Sequence, residues 1–259
     1  MESDLCSLSF DGPVVTITLN RPARRNAVTV DLCRALYDAL RSVAASDARV
    51  AVLRGAGDHF CVGADIGGDA RQPGSAPPGL EDLGLIHHSA TLLHTMSQVT
   101  IAAIDGGCAG AGMGWAAACD FRFASPEARF NTAFLEVGVP GDMGLAWSLD
   151  RIVGGARARE MLFFPGKLTA AQALEIGLVT RLFERAVLHD EVVALARQLA
   201  ARDPFALRMM KANALSAEAL PLGEFIDIET ARQLHATSRP DMAARMAASY
   251  RTARSRNPQ

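Results

Sequence analysis

The most regular hydrophobic feature of the chain is an unbroken apolar run at 99–104, which leads into a segment dense in glycine at 105–114. Such a short run predicts a strand that is buried on both faces. The small residues at 115–119 predict the start of a helix after the glycines. A glycine-rich turn between a strand and a helix lets a ligand approach the backbone, and the unpaired N–H groups of the first helical turn favour an anion.

Upstream of this central turn, strand and helix patterns alternate along the chain. Two segments of alternating pattern around Asp11-Gly12-Pro13 predict a hairpin, and apolar residues at helical spacing after Thr29 predict an amphipathic helix. The predicted elements are strands at 7–11, 14–19 and 50–53, helices at 29–45 and 80–97, a second glycine-rich turn at 55–66 and a polar surface loop at 67–79.

Downstream of the central turn, the helical period dominates. After a strand at 120–124, helices are predicted near 142–152, 155–164, 169–175, 186–201, 204–216, 221–235 and 239–250, with one further strand at 178–183. Strands and helices that alternate before a run of helices alone predict an α/β core followed by a helical region. We therefore divide the chain into a core, 1–200, and a C-terminal helical region, 201–259.

Composition narrows the class of protein. The 259 residues are 49% hydrophobic and 21% charged, which is ordinary for a soluble globular enzyme. A net charge of −2 gives no reason to expect nucleic acid or an anionic membrane as a partner, and no apolar run reaches the length of about 18 residues that a spanning helix needs. Five cysteines without a Cys-x-x-Cys pair, and a first segment without a secretory pattern, lead us to expect reduced thiols and a cytoplasmic location. No metal-ligand spacing is present, so no metal is expected.

The central turn matches nucleotide-binding motifs only in part. Gly110 and Gly112 fit a dinucleotide fingerprint, but Trp115 stands at its third glycine position, so a nicotinamide oxidoreductase is a distant alternative. The glycines are also compatible with close helix–strand packing alone. The second turn, 55–66, is built in the same way and predicts a free backbone N–H near Ala64. Two such groups that meet over one oxygen form an oxyanion hole.

Several segments, in order along the chain, resemble motifs of the crotonase (enoyl-CoA hydratase/isomerase) superfamily. The polar segment from Leu19 to Thr29 is similar to the opening motif, and the two glycine-rich turns are similar to the two oxyanion loops. Further similar segments follow at 128–130, 137–138, 151–154 and 166–179. The resemblance covers nearly the whole chain. It implies a crotonase-like α/β spiral of ββα turns, a C-terminal helical trimerisation region, and a homotrimer or a dimer of trimers.

The resemblance also implies a ligand, an acyl-CoA thioester. Its carbonyl oxygen would accept hydrogen bonds from the backbone N–H groups of Ala64 and Ala111, and no cofactor beyond the coenzyme A moiety would be needed. Arg24 lies where the family often has a basic residue beside the coenzyme, and Asp65 is expected to brace its loop. The residues assigned to coenzyme binding are Arg24, Ala64, Asp65, Ile66, Gly67 and Gly110.

The chain departs from the family at two positions that carry chemistry in its hydratases. Those enzymes have glutamates at the positions of Gly114 and Phe134, where the two side chains position water and transfer the proton. Glycine and phenylalanine cannot do acid–base chemistry. The two substitutions therefore argue against hydration of an enoyl double bond by the two-glutamate mechanism.

Asp142 is the strongest remaining candidate for acid–base chemistry. Dienoyl-CoA isomerases and chlorobenzoyl-CoA dehalogenases of this superfamily carry a functional aspartate at this position, as a proton carrier in the first and a nucleophile in the second. The alternative is that Asp142 caps the helix predicted after it. The two roles are compatible.

Other polar residues near the motifs are weaker candidates. Glu136 lies two residues past the second glutamate position and is expected at the surface. The pair of His87 and His88 is expected on a solvated helix face, although His87 aligns with a histidine of the dehalogenases. A nucleophile pair of His59 and Cys61 is a remote alternative.

Three functions remain open at this point. The chain is predicted to be an enzyme of the enoyl-CoA hydratase/isomerase type that stabilises a thioester enolate. The alternative among enzymes is an enoyl- or dienoyl-CoA double-bond isomerase that uses Asp142. The alternative outside enzymes is a protein that binds acyl-CoA without turning it over.

Overall fold

The computed structural model describes residues 4–65, 80–242 and 244, and it describes the backbone alone for 80–86. The chain divides into two compact units, Met1–Ala201 and Arg202–Gln259. Within the described residues, no helix combines the length and the apolar character that crossing a membrane requires. The loop predicted at 67–79 and most of the helix predicted at 239–250 lie outside the described residues.

Among the described residues of the first unit, the strands form a six-stranded sheet and a three-stranded sheet. The larger sheet has the order β1-β2-β3-β4-β6-β9, in which β1 and β2 form the predicted antiparallel hairpin and the other neighbours pair in parallel. In chain order, the strands are β1 (Cys6–Asp11), β2 (Val14–Leu19), β3 (Val50–Gly55), β4 (Val99–Ile104), β5 (Gly107–Ala109), β6 (Phe121–Ala124), β7 (Arg129–Asn131), β8 (Leu168–Thr169) and β9 (Arg181–Leu182).

The helices confirm the predicted positions, with ends that differ by a few residues. The exception is the helix after the central turn, which begins earlier than the small-residue run because Gly112 and Gly114 are themselves helical. The helices are α1 (Val30–Ala44), α2 (Leu80–Thr95), α3 (Ala111–Ala118), α4 (Leu145–Val153), α5 (Gly155–Phe163), α6 (Ala170–Glu175), α7 (Leu188–Ala200), α8 (Pro204–Ala217) and α9 (Leu222–Thr237).

Two elements show most directly how the sequence determines the local structure. The hydroxyl of Thr29 accepts a hydrogen bond from the N–H of Leu32 at 3.2 Å, which caps α1 by satisfying a donor that the helix leaves free. The buried face of α1 consists of Leu32, Cys33, Leu36, Ala39, Leu40 and Val43. All residues of β4 are buried, as expected for a strand with a parallel neighbour on each side and both faces covered.

The three-stranded sheet of β5, β7 and β8 has no counterpart among the predicted elements. Its strands are two or three residues long, which is too short for an alternating pattern to show. β5 lies inside the central turn and pairs in parallel with β7. The predicted glycine-rich turn between β4 and α3 therefore contains a short strand that the sequence pattern did not indicate.

The strand predicted at 178–183 is also wrong in its length. Only Arg181 and Leu182 pair in the ladder, with β6. The carbonyl of Leu178 instead accepts a hydrogen bond from Nε of the buried Arg122 at 2.7 Å, and the N–H of Val179 donates back to Ala173 in α6 at 3.0 Å. These bonds keep the first residues of the predicted strand out of the sheet.

Candidate functional site

The candidate site lies where the two glycine-rich turns leave the neighbouring parallel strands β3 and β4. Cys61 in the first turn pairs with Cys108 in the second through a parallel bridge, and the N–H of Ala109 donates to the carbonyl of Cys61 at 2.9 Å. Three residues after this bridge, each turn reaches its predicted donor, Ala64 in one and Ala111 in the other. The equal spacing places the two alanines at matching positions on adjacent turns.

The glycine before each alanine brings the two turns into direct contact. Gly63 and Gly110 have φ angles of +85° and +51°, a conformation that side chains rarely adopt. A methyl group built on Gly110 would lie 3.6 Å from Cα of Gly63, and one built on Gly63 would lie 3.0 Å from the carbonyl oxygen of Ala109. The positive φ angle favours glycine at both positions, and the close approach of the Ala109 carbonyl adds a steric reason at Gly63.

Within the described residues, neither predicted donor gives its N–H to a protein acceptor. Ala111 is the first residue of α3, so its N–H has no carbonyl partner one turn earlier. Ala64 pairs with Val28 in a parallel bridge. In this bridge, the N–H of Val28 donates to the carbonyl of Gly63 at 2.8 Å, and the N–H of Asp65 donates to the carbonyl of Val28 at 3.0 Å. This pairing directs the N–H of Ala64 away from Val28. Both amides are therefore free to bind a ligand oxygen.

Polar contacts around Asp105 fix the second turn. One carboxylate oxygen of Asp105 accepts from the N–H of Gly106 at 2.8 Å and from the hydroxyl of Ser125 at 2.6 Å. The other accepts from Nε of Arg185 at 2.7 Å, and this bond raises the pKa of the Arg185 guanidinium. Because Asp105 is only 8% exposed, loss of the bond from Arg185 would leave a largely buried carboxylate oxygen without its donor.

The contacts of His59 and Cys61 contradict their assignment as a nucleophile pair. Nδ1 of His59 accepts a hydrogen bond from the N–H of Gly107 at 2.9 Å, so the imidazole links the two turns. Cys61 is fully buried, and burial raises the pKa of its thiol to about 12. A reactive cysteine needs a lowered pKa and access to solvent.

Among the residues assigned to coenzyme binding, Arg24 and Asp65 contact each other. Asp65 accepts hydrogen bonds from the guanidinium of Arg24 and pairs with Arg21 at 3.0 Å. The bond from Arg24, followed by that from Arg21, lowers the pKa of the Asp65 carboxyl to about 2. Asp65 thus braces the first turn, as expected. Ile66 and Gly67 lie outside the described residues.

Apolar side chains fill the space at positions 114 and 134, where the sequence resemblance leads us to expect glutamates in a hydratase. A methyl group at Gly114 would lie 2.5 Å from Cβ of Met143, so Met143 occupies the space that a longer side chain would need. Phe134 is 8% exposed, and its ring lies 3.9 Å from a methyl group built on Gly110 and 3.7 Å from one built on Gly141. The wall beside the paired turns is therefore apolar at both positions.

Replacing Gly114 with alanine is expected to lower the free energy of unfolding by about 1–3 kcal/mol, because the added methyl group must displace the buried Met143. Gly223→Ala in α9 is the matched control, since nothing lies within 4 Å of a methyl group there. That control should change stability by less than about 1 kcal/mol. Denaturant unfolding of both variants checks the prediction, which would be refuted by equal stabilities.

The structure corrects one of the two roles expected for Asp142. α4 begins at Leu145, its N-cap is Gly144, and the cap has no side-chain hydrogen bond. The backbone carbonyl of Asp142, and not its carboxylate, accepts from the N–H of Leu145 at 3.1 Å. The predicted helix cap is therefore wrong, and the carboxylate is left for another role.

The carboxyl group of Asp142 is in an unusual environment for a residue near the surface. Its Oδ1 is buried and has no hydrogen-bond partner within the described residues. Burial raises the pKa of Asp142, and the charge of His87 acts in the opposite direction. Burial is the main cause of the raised pKa of the Cys61 thiol, and the negative charge of Asp142 raises that pKa further. The Asp142 carboxylate therefore lies near the paired turns. A carboxyl group with a raised pKa is suited to taking and returning a proton.

The remaining polar candidates have other contacts. Glu136 is exposed and accepts a hydrogen bond from Nδ2 of Asn131 at 3.2 Å. His88 is exposed, and His87 is partly buried and lines a cavity between α2 and α4. Among the residues that the structure describes, no group of three or more His, Cys, Asp or Glu side chains is arranged to hold a metal ion.

The chain is similar to known proteins along almost its whole length. The sequence model of the enoyl-CoA hydratase/isomerase family matches residues 9–251. The 1,2-epoxyphenylacetyl-CoA isomerase of Escherichia coli K12 is 33% identical over 222 residues, which cover 83% of this chain and 84% of that protein. The mitochondrial Delta(3,5)-Delta(2,4)-dienoyl-CoA isomerase of Rattus norvegicus is 31% identical over 227 residues, which cover 83% of this chain and 69% of that protein.

A solved structure shows the same similarity in three dimensions. It is that of a Thermobifida fusca YX protein assigned as an enoyl-CoA hydratase, in complex with acetoacetyl-CoA. The two chains superpose with a TM-score of 0.81 at 28% identity, and the match covers 90% of this chain and 94% of that one. The fold predicted from the sequence motifs is thereby confirmed.

Proposed function

Because the chain belongs to the enoyl-CoA hydratase/isomerase family, we propose that it binds an acyl-CoA thioester and moves a proton along the acyl group. The observation that carries this proposal is the buried Oδ1 of Asp142, which has no hydrogen-bond partner within the described residues, together with the two free backbone amides. The names of the two relatives, both isomerases of CoA thioesters, support it. So does the acetoacetyl-CoA bound to the Thermobifida neighbour.

The two amides supply the electrostatic part of the proposed mechanism. When a proton leaves the carbon next to the thioester, negative charge develops on the carbonyl oxygen. The N–H groups of Ala64 and Ala111 would donate to that oxygen and stabilise the enolate, and removing one such donor typically costs about 3–4 kcal/mol. Backbone groups do this work, so alanine suffices at both positions. The reaction requires no cofactor besides the coenzyme A moiety of the substrate.

Asp142 supplies the acid–base part. In a 3-enoyl-CoA, its carboxylate takes the proton from carbon 2, and the electrons of that C–H bond pass into a dienolate. The protonated Asp142 then returns the proton to carbon 4, which leaves the double bond between carbons 2 and 3. One carboxylate can perform both steps because the proton removed is the proton returned. Hydration would also need a group that holds and activates water, and Gly114 and Phe134 offer none.

We expect the enzyme to isomerise a 3-enoyl-CoA or a 3,5-dienoyl-CoA at least about 100-fold faster than it hydrates crotonyl-CoA, since a positioned acid or base is worth about that factor or more. Initial rates with each substrate at equal enzyme concentration, with products separated by chromatography, measure the ratio. Hydration of crotonyl-CoA as fast as either isomerisation would contradict the proposal.

A protein that binds acyl-CoA without turnover is the second candidate, and the apolar wall of Met143 and Phe134 favours it. That function predicts tight binding of acyl-CoA in calorimetry together with no product from any member of the substrate panel. Turnover of one isomerase substrate excludes it.

We also propose that the C-terminal unit mediates assembly into a homotrimer or a dimer of trimers. Its helices leave large apolar side chains exposed, with Met210 at 70%, Leu222 at 74% and Leu234 at 64%. Exposed apolar surface of this kind is typical of an interaction site. We expect light scattering of the purified full-length chain to give the mass of three or six chains, and the mass of a single chain would refute this assignment.

A further inference from the structure

A cavity of about 450 Å³ lies between α2 and α4, and Met143 and Gly144 form part of its wall. Met143 also packs against Gly114, which follows the oxyanion donor Ala111 in α3 by three residues, or about 4.5 Å along the helix axis. Asp142 immediately precedes Met143 in the chain. The cavity therefore adjoins the place where the acyl carbons would react.

The dimensions of the cavity limit what it can hold. Its wall on α2 extends from His87 to Thr95, which corresponds to about 12 Å at 1.5 Å per residue. A volume of about 450 Å³ along such a wall leaves room for a planar ring.

Aromatic groups form the far wall. The ring of His94 meets the indole of Trp147 edge to face, with centroids 5.0 Å apart and planes at 81°. The guanidinium of Arg151 lies 3.8 Å from the centroid of the same indole. These two contacts hold the indole in place, so its remaining surface is a preorganised partner for another ring. Aromatic pairs favour ring centroids that are about 4.5–7 Å apart. The rest of the wall combines the small and flexible side chains of Ala90, Ala118 and Met143 with polar side chains of α2 and α4.

We propose that this cavity selects an acyl group that ends in an aromatic ring, and that Trp147 and His94 determine this specificity. The inference rests on the proposed function, because it assumes that the ligand is an acyl-CoA held by the two oxyanion turns. The ring would lie against the indole while the thioester oxygen meets the amides of Ala64 and Ala111. An arylacyl-CoA is therefore the substrate class.

Calorimetric binding of non-reacting thioesters tests this specificity without relying on turnover. Phenylacetyl-CoA, cyclohexylacetyl-CoA and octanoyl-CoA have the same number of acyl carbons and differ in ring and aromatic character. We expect the full-length protein to bind phenylacetyl-CoA about tenfold more tightly than the other two, as two aromatic contacts would give. Trp147→Leu keeps an apolar wall but removes the indole, and it should abolish the preference.

Two further variants keep the result interpretable. Phe164→Leu removes an aromatic side chain that is 80% exposed and lies outside the cavity wall, so it should retain the full preference. His94→Leu repeats the test from the other aromatic residue if Trp147→Leu does not fold. Equal affinity for the three thioesters, or a preference that survives in the variants of Trp147 and His94, overturns the specificity alone. Absence of binding by all acyl-CoAs overturns the proposed function as well.

Discussion

Replacing Ala111 with proline is expected to lower kcat by about 100- to 1,000-fold, the effect of deleting one oxyanion donor, while the protein stays folded. Proline has no N–H, so the substitution removes the donor that a side-chain change cannot reach. Its ring also projects toward the position of the substrate oxygen. Steady-state kinetics with the preferred isomerase substrate measure the loss, and circular dichroism reports the fold.

The fold should tolerate this substitution because the N–H of Ala111 makes no bond within the described residues. Proline is favoured at the first position of a helix, and Ala111 is the first residue of α3. The preceding Gly110, at φ 51° and ψ −126°, lies outside the helical region that proline excludes for its neighbour. Val30→Pro is the matched control, since Val30 is the first residue of α1 and is 41% exposed. If the Ala111→Pro enzyme were as active as the Val30→Pro enzyme, the N–H of Ala111 would not contribute to catalysis and the proposed oxyanion hole would be wrong.

Replacing Asp142 with asparagine is expected to lower kcat for isomerisation by about 100- to 10,000-fold, with little change in KM, because the side chain keeps its shape and loses only its ability to carry a proton. In the wild-type enzyme, Asp142 must be ionised to accept that proton. Burial raises the pKa of Asp142, so kcat/KM should fall as the pH drops through a value above the ordinary range of an aspartate. The residual kcat/KM of the Asp142→Asn variant should not show this fall at acidic pH.

Stability separates this catalytic role from a structural one. A carboxyl group whose pKa is raised in the folded protein favours the unfolded state at every pH above its unfolded pKa, where ionisation costs more in the native site than in water. Asp142→Asn should therefore unfold at the same temperature as the wild type or higher. Asp47→Asn, an exposed aspartate before β3 at the opposite end of the strand from the turns, is the control for activity. A variant of Asp142 that is fully active, or inactive only because it unfolds, contradicts the assignment.

Much of the framework follows from local sequence. The sequence pattern was sufficient to predict three features: the cap at Thr29, the apolar face of α1 and the buried strand β4. Each of these features depends mainly on residues that are close together in the chain. The free amide at Ala111 could be predicted for a similar reason, since the first N–H groups of a helix have no carbonyl partner one turn earlier.

The parts that escaped prediction depend on residues far apart in the chain. Met143 fills the space beside Gly114 across 28 intervening positions, and nothing in either local sequence indicates this contact. Asp142 has the residue type of a helix cap, but Gly144 takes that position because α4 begins later than its apolar pattern. The strands of the small sheet are too short to carry a period.

The contact between Met143 and Gly114 also constrains how this enzyme can diverge. A glutamate at position 134 meets no such steric obstacle, because its side chain is smaller than that of Phe134. At position 114 even a methyl group must displace Met143, so a glutamate there needs a smaller residue at 143 and hence at least two coordinated substitutions. If the chain descends from an ancestor with both glutamates, the loss of the glutamate at position 114 would thus be hard to reverse. A library of variants designed to restore hydration activity should vary residues 114 and 143 together.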